Sequence, residues 1–278
     1  MIKHLTQTLA AIFIASSCIP ISAQAPVDGF YPGNNNGTLA LSASFEKYNE
    51  FFLGTGESVP WLGDYNTTSI GIYGTYGITD DFALALSIPY IVINTIYFNS
   101  EEVNRGGIQD LGFYAKYKLF HFDMSALDIE ISPSVGFTTP LSNYIVDFYG
   151  VGQGATSFDL RSILMARWNN GLFAEIQGAG LVRLDPAPSG SQFNLKLGYF
   201  NEKMYADLYY TMQNISGGED LPSPANYEAL GVSYQRAGFT VAYNIFSALG
   251  IYLGGATTLD GENVGKSNRF TGGGVFRF

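Results

Sequence analysis

Apolar and polar residues alternate along most of this chain with a period of two, the pattern of strands with one wet face and one greasy face. The alternating runs cover residues 38–46, 68–78, 82–93, 108–119, 127–138, 157–168, 172–184, 192–200, 204–215, 227–235 and 239–248, and a final run reaches the last residue. In the first, Leu39, Leu41, Ala43 and Phe45 share a face. In 108–119, Leu111, Phe113, Ala115, Tyr117 and Leu119 oppose Asp110, Tyr114, Lys116 and Lys118. The run 227–235 is weaker, with Leu230, Val232 and Tyr234 on one face. Links of two lengths join the runs. Short ones at 79–81, 121–125, 169–171, 201–203 and 236–238 alternate with long ones at 51–67, 94–107, 141–156, 185–191, 216–226 and 249–268. Twelve strands joined this way put every short turn on the side of both termini and every long loop on the other. That is an all-β, transmembrane, antiparallel up-and-down barrel with short periplasmic turns and longer extracellular loops. A secreted β-sandwich also alternates along its strands, but it has no reason to alternate its loop lengths. Phe82, Trp168, Phe173, Phe239 and Phe278 lie beside the short turns, where an aromatic girdle belongs. Pro89 and Pro133 fall inside strands, and each should require a β-bulge.

Both ends of the chain agree with this architecture. The last strand puts Phe270, Gly272, Gly274, Phe276 and Phe278 on one face. A greasy final strand closing on a terminal Phe resembles the assembly signal of bacterial outer-membrane barrels, which implies a barrel-assembly machinery as partner. At the start, Lys3 and His4 precede the apolar run Leu9-Ala-Ala-Ile-Phe-Ile-Ala15, and Ala23-Gln-Ala25 offers a cleavage site. Residues 1–25 therefore read as a secretory signal and 26–278 as the barrel. Cys18, the one cysteine, lies inside the signal in a poor match to a lipidation motif, so the mature chain has neither disulfide nor thiol chemistry.

Composition excludes more than it assigns. Removing the signal takes away Lys3 and no acid, which moves the net charge from −10 to −11 and argues against nucleic acid. Charged residues make up 14% of the chain, against about a quarter in soluble domains. Few charges with 15% aromatics fit a barrel whose alternate residues face lipid. The expected place is thus the outer membrane of a Gram-negative bacterium, with the lipid bilayer as the first partner.

Charges that do occur fall on the inward face. Asp110, Lys116, Lys118, Asp128, Glu130, Asp159, Arg161, Arg167, Glu175, Arg183, Lys196 and Asp207 come from consecutive strands with signs mixed. Two readings follow: a salt-bridged filling that stiffens the barrel, or a polar constriction that selects solutes, ringed by Lys116, Glu130, Arg161 and Glu175. Above it, the loop segments Phe51-Phe-Leu53, Val59-Pro-Trp61 and Ile145-Val-Asp-Phe-Tyr149 are unusually apolar. Trp61, Phe148 and Tyr149 are the candidate mouth residues, as a lid or as contacts for a hydrophobic solute.

Catalysis and cofactors find little support. Outer-membrane lipases and proteases use a histidine base, and the mature chain has His121 alone, in a predicted periplasmic turn with no serine partner suggested. No enzyme activity, cofactor or metal is expected. Gly150-Val-Gly-Gln-Gly154 lacks the spacing and the βαβ setting of a nucleotide loop. Asp260-Gly-Glu-Asn263 and Gly218-Glu-Asp220 are candidate cation loops at the outer rim, although short acidic loops are usually solvated turns.

Several segments resemble the outer-membrane transporters grouped under the MetA pathway of phenol degradation. They are Tyr76-Gly-Ile-Thr-Asp80, Leu86-Ser-Ile-Pro-Tyr90, Gly107-Ile-Gln-Asp-Leu-Gly-Phe-Tyr-Ala-Lys-Tyr117, Phe137-Thr-Thr-Pro140, Ser157-Phe-Asp-Leu160 and the Gly-rich final strand. Gln109 stands where that pattern has Gly. The resemblance implies a barrel that passes small molecules, hydrophobic or aromatic ones among them, and it supplies no catalytic residues. The expected function is passive uptake of small solutes. The alternative is a structural or surface-binding barrel with a packed, non-conducting lumen.

Overall fold

The computed structural model describes residues 25–54, 57–96, 102–221 and 224–278, with the backbone alone for 61–63. The predicted signal lies outside the described residues except for Ala25. Twelve antiparallel strands close into one barrel. They are β1 (Gly37–Phe52), β2 (Ser58–Gly77), β3 (Phe82–Ile96), β4 in three segments (Glu102–Ile108, Asp110–Tyr117 and Phe120–Met124), β5 (Leu127–Pro140) and β6 (Ser157–Trp168). β7 (Leu172–Arg183), β8 (Gly190–Phe200), β9 (Met204–Ile215), β10 (Ser233–Phe246), β11 (Leu249–Glu262) and β12 (Asn268–Arg277) complete it. Each strand pairs with its sequence neighbours, and β1 pairs with both β2 and β12, so the sheet has no free edge. The chain end is tied at the seam: Gly37 N–H donates to Phe278 O at 2.7 Å and Phe278 N–H to Gly37 O at 3.0 Å.

The side-chain period sorts residues as the alternation predicts. Outward Leu41, Phe45, Leu86, Phe113, Leu208, Leu253 and Phe270 are 39–69% exposed. An apolar surface of that extent suits lipid and not water. Inward positions, such as Lys116, Glu130, Arg161, Glu175 and Asp207, are buried. This is the fold of an outer-membrane barrel.

The two prolines explain why β4 is broken. Ser87 pairs with Gly112 and Tyr90 with Ile108, so Ile88 and Pro89 face three residues of β4, centred on Asp110. Likewise Lys116 pairs with Ser134 and Phe120 with Ile131, so Ser132 and Pro133 face Tyr117, Lys118 and Leu119. Each proline lacks an N–H for the β4 side, and an extra residue in β4 bridges each gap. The second bulge also flips the parity of β4, which places Phe120, Phe122 and Met124 on the lipid side at 46–51% exposure.

Several expected boundaries shift. The predicted break at Arg236-Ala-Gly238 is the interior of β10, and the turn falls at Ser247-Ala248. Residues 249–262, expected as loop, are β11. Residues 227–232, expected as strand, form a 3-10 turn and loop. The displacements offset one another, so the strand count stays at twelve. Phe239 is consequently mid-strand rather than beside a turn, and Phe173 points inward, 2% exposed, so neither belongs to a girdle. His121 lies in the last segment of β4 and not in a turn. Phe51, Phe52 and the segment around Trp61 belong to β1 and β2, which extend past the expected loop start.

Facing sets the cost of a buried charge. Arg at Leu86 or Phe113 should destabilise the barrel by about 2–4 kcal/mol, measured by chemical unfolding in lipid vesicles. Arg at Ser87 should cost less, because Ser87 lines a lumen cavity. Gly112 makes a poor inward control: a Cβ there would sit 2.6 Å from Ser87 Oγ and 3.1 Å from the Tyr114 ring.

Candidate channel lumen

The chain before β1 runs down inside the barrel, from Ala25 and Pro26 in an upper cavity to Asn34 at the short turn after β2. Val27, Asp28, Phe30 and Tyr31 are all buried. Phe30 makes edge-on contacts to Phe173 (5.3 Å), Phe200 (5.5 Å) and Tyr205 (6.2 Å) near the periplasmic turns. Higher up, Gly29 N–H donates to Glu175 Oε2 at 2.7 Å, and Gln177 Nε2 donates to Val27 O at 2.9 Å. Lys116 Nζ donates to the carbonyls of Asp28 (2.6 Å) and Phe30 (2.5 Å), lies 3.5 Å from the Asp28 carboxylate and sits 4.4 Å above the Tyr31 ring. Tyr31 donates its hydroxyl to Ser132 at 2.8 Å. The fit is close: a Cβ on Gly29 would come within 2.8 Å of Met165 Cε. Thus the segment fills the periplasmic half of the lumen, held by side chains of β4, β5, β6 and β7.

The predicted ring is brought together, but around this segment and not around open space. Lys116 and Glu175 touch the segment directly, and Lys196 supports Glu175 from 3.6 Å. Arg161 instead makes a wall network. It holds Asp159 through two bonds (3.2 and 2.6 Å) and donates to Gln177 and Gln192, each at 2.7 Å. Glu130 pairs with Arg167 (2.5 Å) and Lys118 (3.3 Å). Asp207 accepts from Tyr205 at 2.5 Å. Asp128 stands apart, half-exposed at the periplasmic end, 3.8 Å from His121 Nε2. Arg183 lies at the top of β7 and donates to Gln153 at 2.9 Å.

The alternation pattern missed Asp28, Phe30 and Tyr31, because the segment 26–36 does not alternate and reads as a linker. It also missed inward charges on β1, β10 and β12. Glu46 accepts from Arg236 at 3.0 Å, and from Arg269 and Ser267 as well. A pairwise reading of parity from Leu41 and Phe45 would have placed Glu46 inside.

Above the segment is a polar cavity of about 520 Å3, reached by Ala25 and Pro26 from below and walled by residues of most strands. The loop 141–156 folds over it. Phe148 packs 5.2 Å from Phe51, Tyr149 stacks 6.2 Å from Tyr65, and Tyr65 stacks 4.8 Å from Tyr48. Arg105 pins the loop through Asp147 at 2.5 Å. Tyr144 donates to Asp110, and burial holds its phenol well above the usual range, so it remains a donor. Beside the lid lies a mainly apolar recess of about 290 Å3, with Asp147, Gln153, Gln213 and Asn263 among its lining. Phe148 and Tyr149 are therefore lid residues, of which Phe148 borders this space, while the side chain of Trp61 lies outside the described residues. A larger groove, about 880 Å3, is on the outer wall among Leu172, Leu197, Leu208, Phe239 and Val241, where acyl chains would fill it.

The candidate cation loops are used within the fold. Asn263 Nδ2 donates to Asp220 at 2.7 Å and to Gly231 O at 2.8 Å, and Glu219 accepts backbone N–H groups of Ala225 and Asn226. Among the described residues no group of three or more His, Cys, Asp or Glu is placed to hold a metal ion.

No family model matches this chain, and no curated protein does. Solved structures do match. An outer-membrane channel from Pseudomonas putida superposes with a TM-score of 0.72 at 14% identity, over 93% of this chain and 99% of that one. The β domain of the Bordetella autotransporter Brka gives 0.51 at 13% identity, over 88% and 100%. At these identities the likeness carries the fold.

Proposed function

We propose that this protein is a passive outer-membrane channel of a Gram-negative bacterium, without a catalytic step, for small molecules that include hydrophobic and aromatic ones. One observation carries the reading: a mainly apolar recess and a polar cavity lie in series above a lumen closed by a non-covalently held segment, residues 27–31, that precedes β1. The greasy recess suits a solute body, and the cavity gives it a wetted path to the periplasmic half. The resemblance to transporters of the MetA pathway of phenol degradation supports the same solute class. The test is single-channel recording and liposome swelling with purified, heat-modifiable protein, using phenol-sized solutes. Ion conductance with swelling is expected, and silence in both assays would sink the proposal.

The packed-lumen alternative is favoured by a different observation, the density of bonds between residues 27–31 and the wall. Under that reading the segment never leaves, and the barrel serves structure or surface binding.

Insertion by the barrel-assembly machinery is part of the proposal, with Phe270, Phe276 and Phe278 as its signal. Phe276 and Phe278 stack at 6.1 Å on the lipid side of the seam. Replacing Phe278 by Asp should leave most of the chain unassembled, read as loss of the heat-modifiable band from outer-membrane fractions. Wild-type levels would show that the terminal residue is dispensable.

A further inference from the structure

Three arginines, Arg183, Arg236 and Arg269, line the cavity beneath the lid. Two of them converge on one carboxylate, Glu46, so that cluster keeps a surplus positive charge. Arg183 makes no ion pair with a carboxylate within 4 Å among the described residues; it donates to the neutral Gln153 and feels Asp110 only at longer range. The Arg236 Nε is buried and has no hydrogen-bond partner among the described residues. Of the acids on the same wall, Asp159 is neutralised by Arg161, and Asp110, which accepts from Tyr144, offsets part of the positive charge from a distance. A cation-rich chamber is unexpected in a chain of net charge −10, where chance placement would favour acid. The recess above it is mainly apolar, lined by Phe51, Val146, Phe148, Leu221, Tyr227 and Leu230, and the one acid on its wall, Asp147, is ion-paired with Arg105. Gln153, Gln213 and Val232 line both spaces, so the two abut.

We propose that these abutting spaces form a binding site for a small organic carboxylate with an apolar body. The body occupies the recess, and the carboxylate replaces Gln153 as the acceptor for the Arg183 fork. A guanidinium suits that role, because two parallel N–H groups match two carboxylate oxygens. Gln153 is placed to yield, since it spans both spaces and its amide is anchored separately on Leu230 O at 2.5 Å. The inference deepens the channel reading by naming its solute class, and it rests on that reading for its purpose alone.

The test is a titration of the purified full-length barrel in detergent with three probes of one shape: 4-phenylbutyrate, 4-phenylbutanol and 4-phenylbutylamine. The carboxylate should bind at least about tenfold more tightly than the alcohol, and the amine least, as a charge-assisted bond to Arg183 requires. Arg183→Gln should abolish the preference, bringing the carboxylate to about the affinity of the alcohol, and Arg183→Lys should retain part of it. Heat-modifiable mobility verifies that each variant is folded. Equal affinities for the three probes, no binding of the carboxylate, or a preference untouched by Arg183→Gln would overturn the proposal. Failure of the channel reading shows instead as absent conductance, and it would leave the titration result standing.

Discussion

Deleting residues 27–31 should raise single-channel conductance severalfold. The barrel wall begins at Gly37, and its pairings with β2 and β12 do not involve the deleted residues. What the deletion removes is Phe30 from its aromatic seat above the periplasmic turns and two carbonyls from Lys116. Lys116 and Glu175 would then face water, with Lys196 still 3.6 Å from Glu175, so no buried charge is left unpaired in a dry interior. A milder variant makes the same point without shortening the chain. Gly29→Leu would collide with Met165 and Glu175 and should unseat the segment, with a smaller rise in conductance. The measurement is planar-bilayer recording on heat-modifiable protein. If both variants fold and conduct as the wild type does, wall side chains and not the N-terminal segment close the lumen.

The barrel itself was legible because lipid and lumen demand opposite chemistry on alternate residues. Leu160 and Arg161 are neighbours in sequence and lie at 58% and 4% exposure. Where glycine interrupts that contrast, the reading fails. By composition Gly238 belongs to a turn, yet it sits directly across from the inward Tyr209, whose ring would lie 2.5 Å from any Cβ placed there. Gly136 makes the same room for Tyr114, at 2.2 Å. These glycines are sockets for tyrosines on the adjacent strand, and strand glycine commonly marks such close approach. A charged residue followed by Ala-Gly therefore reads as a turn by composition while the packing makes it a strand. The constriction was legible as a set of inward charges but not as a filled space. Its central partner, residues 27–31, lacks periodicity, and its burial depends on a fit to Met165 and Phe173 that no local pattern announces.

Charge in the upper cavity should prove tied to stability and selectivity at once. Glu46→Gln is expected to destabilise the barrel by about 3 kcal/mol, the lower end for breaking a buried ion pair, because the cavity admits some water. The carboxylate is 11% exposed, and its partners Arg236 and Arg269 are 13% and 27% exposed, so both cations would lose their main counter-charge in a confined space. Lys47 and Asp64 offer the contrast. They approach to 2.5 Å but are 60% and 51% exposed, and Lys47→Ala should leave unfolding in lipid vesicles unchanged within error. Distance alone would rank the two interactions alike, whereas burial separates them. Glu46→Gln should also move the reversal potential toward anion preference under a salt gradient, since the low-dielectric wall focuses the field of two freed guanidinium groups into the path. A variant that loses stability with no change in selectivity would show that ions bypass Arg236 and Arg269. A selectivity shift without loss of stability would show that water already screens the cluster in the folded barrel.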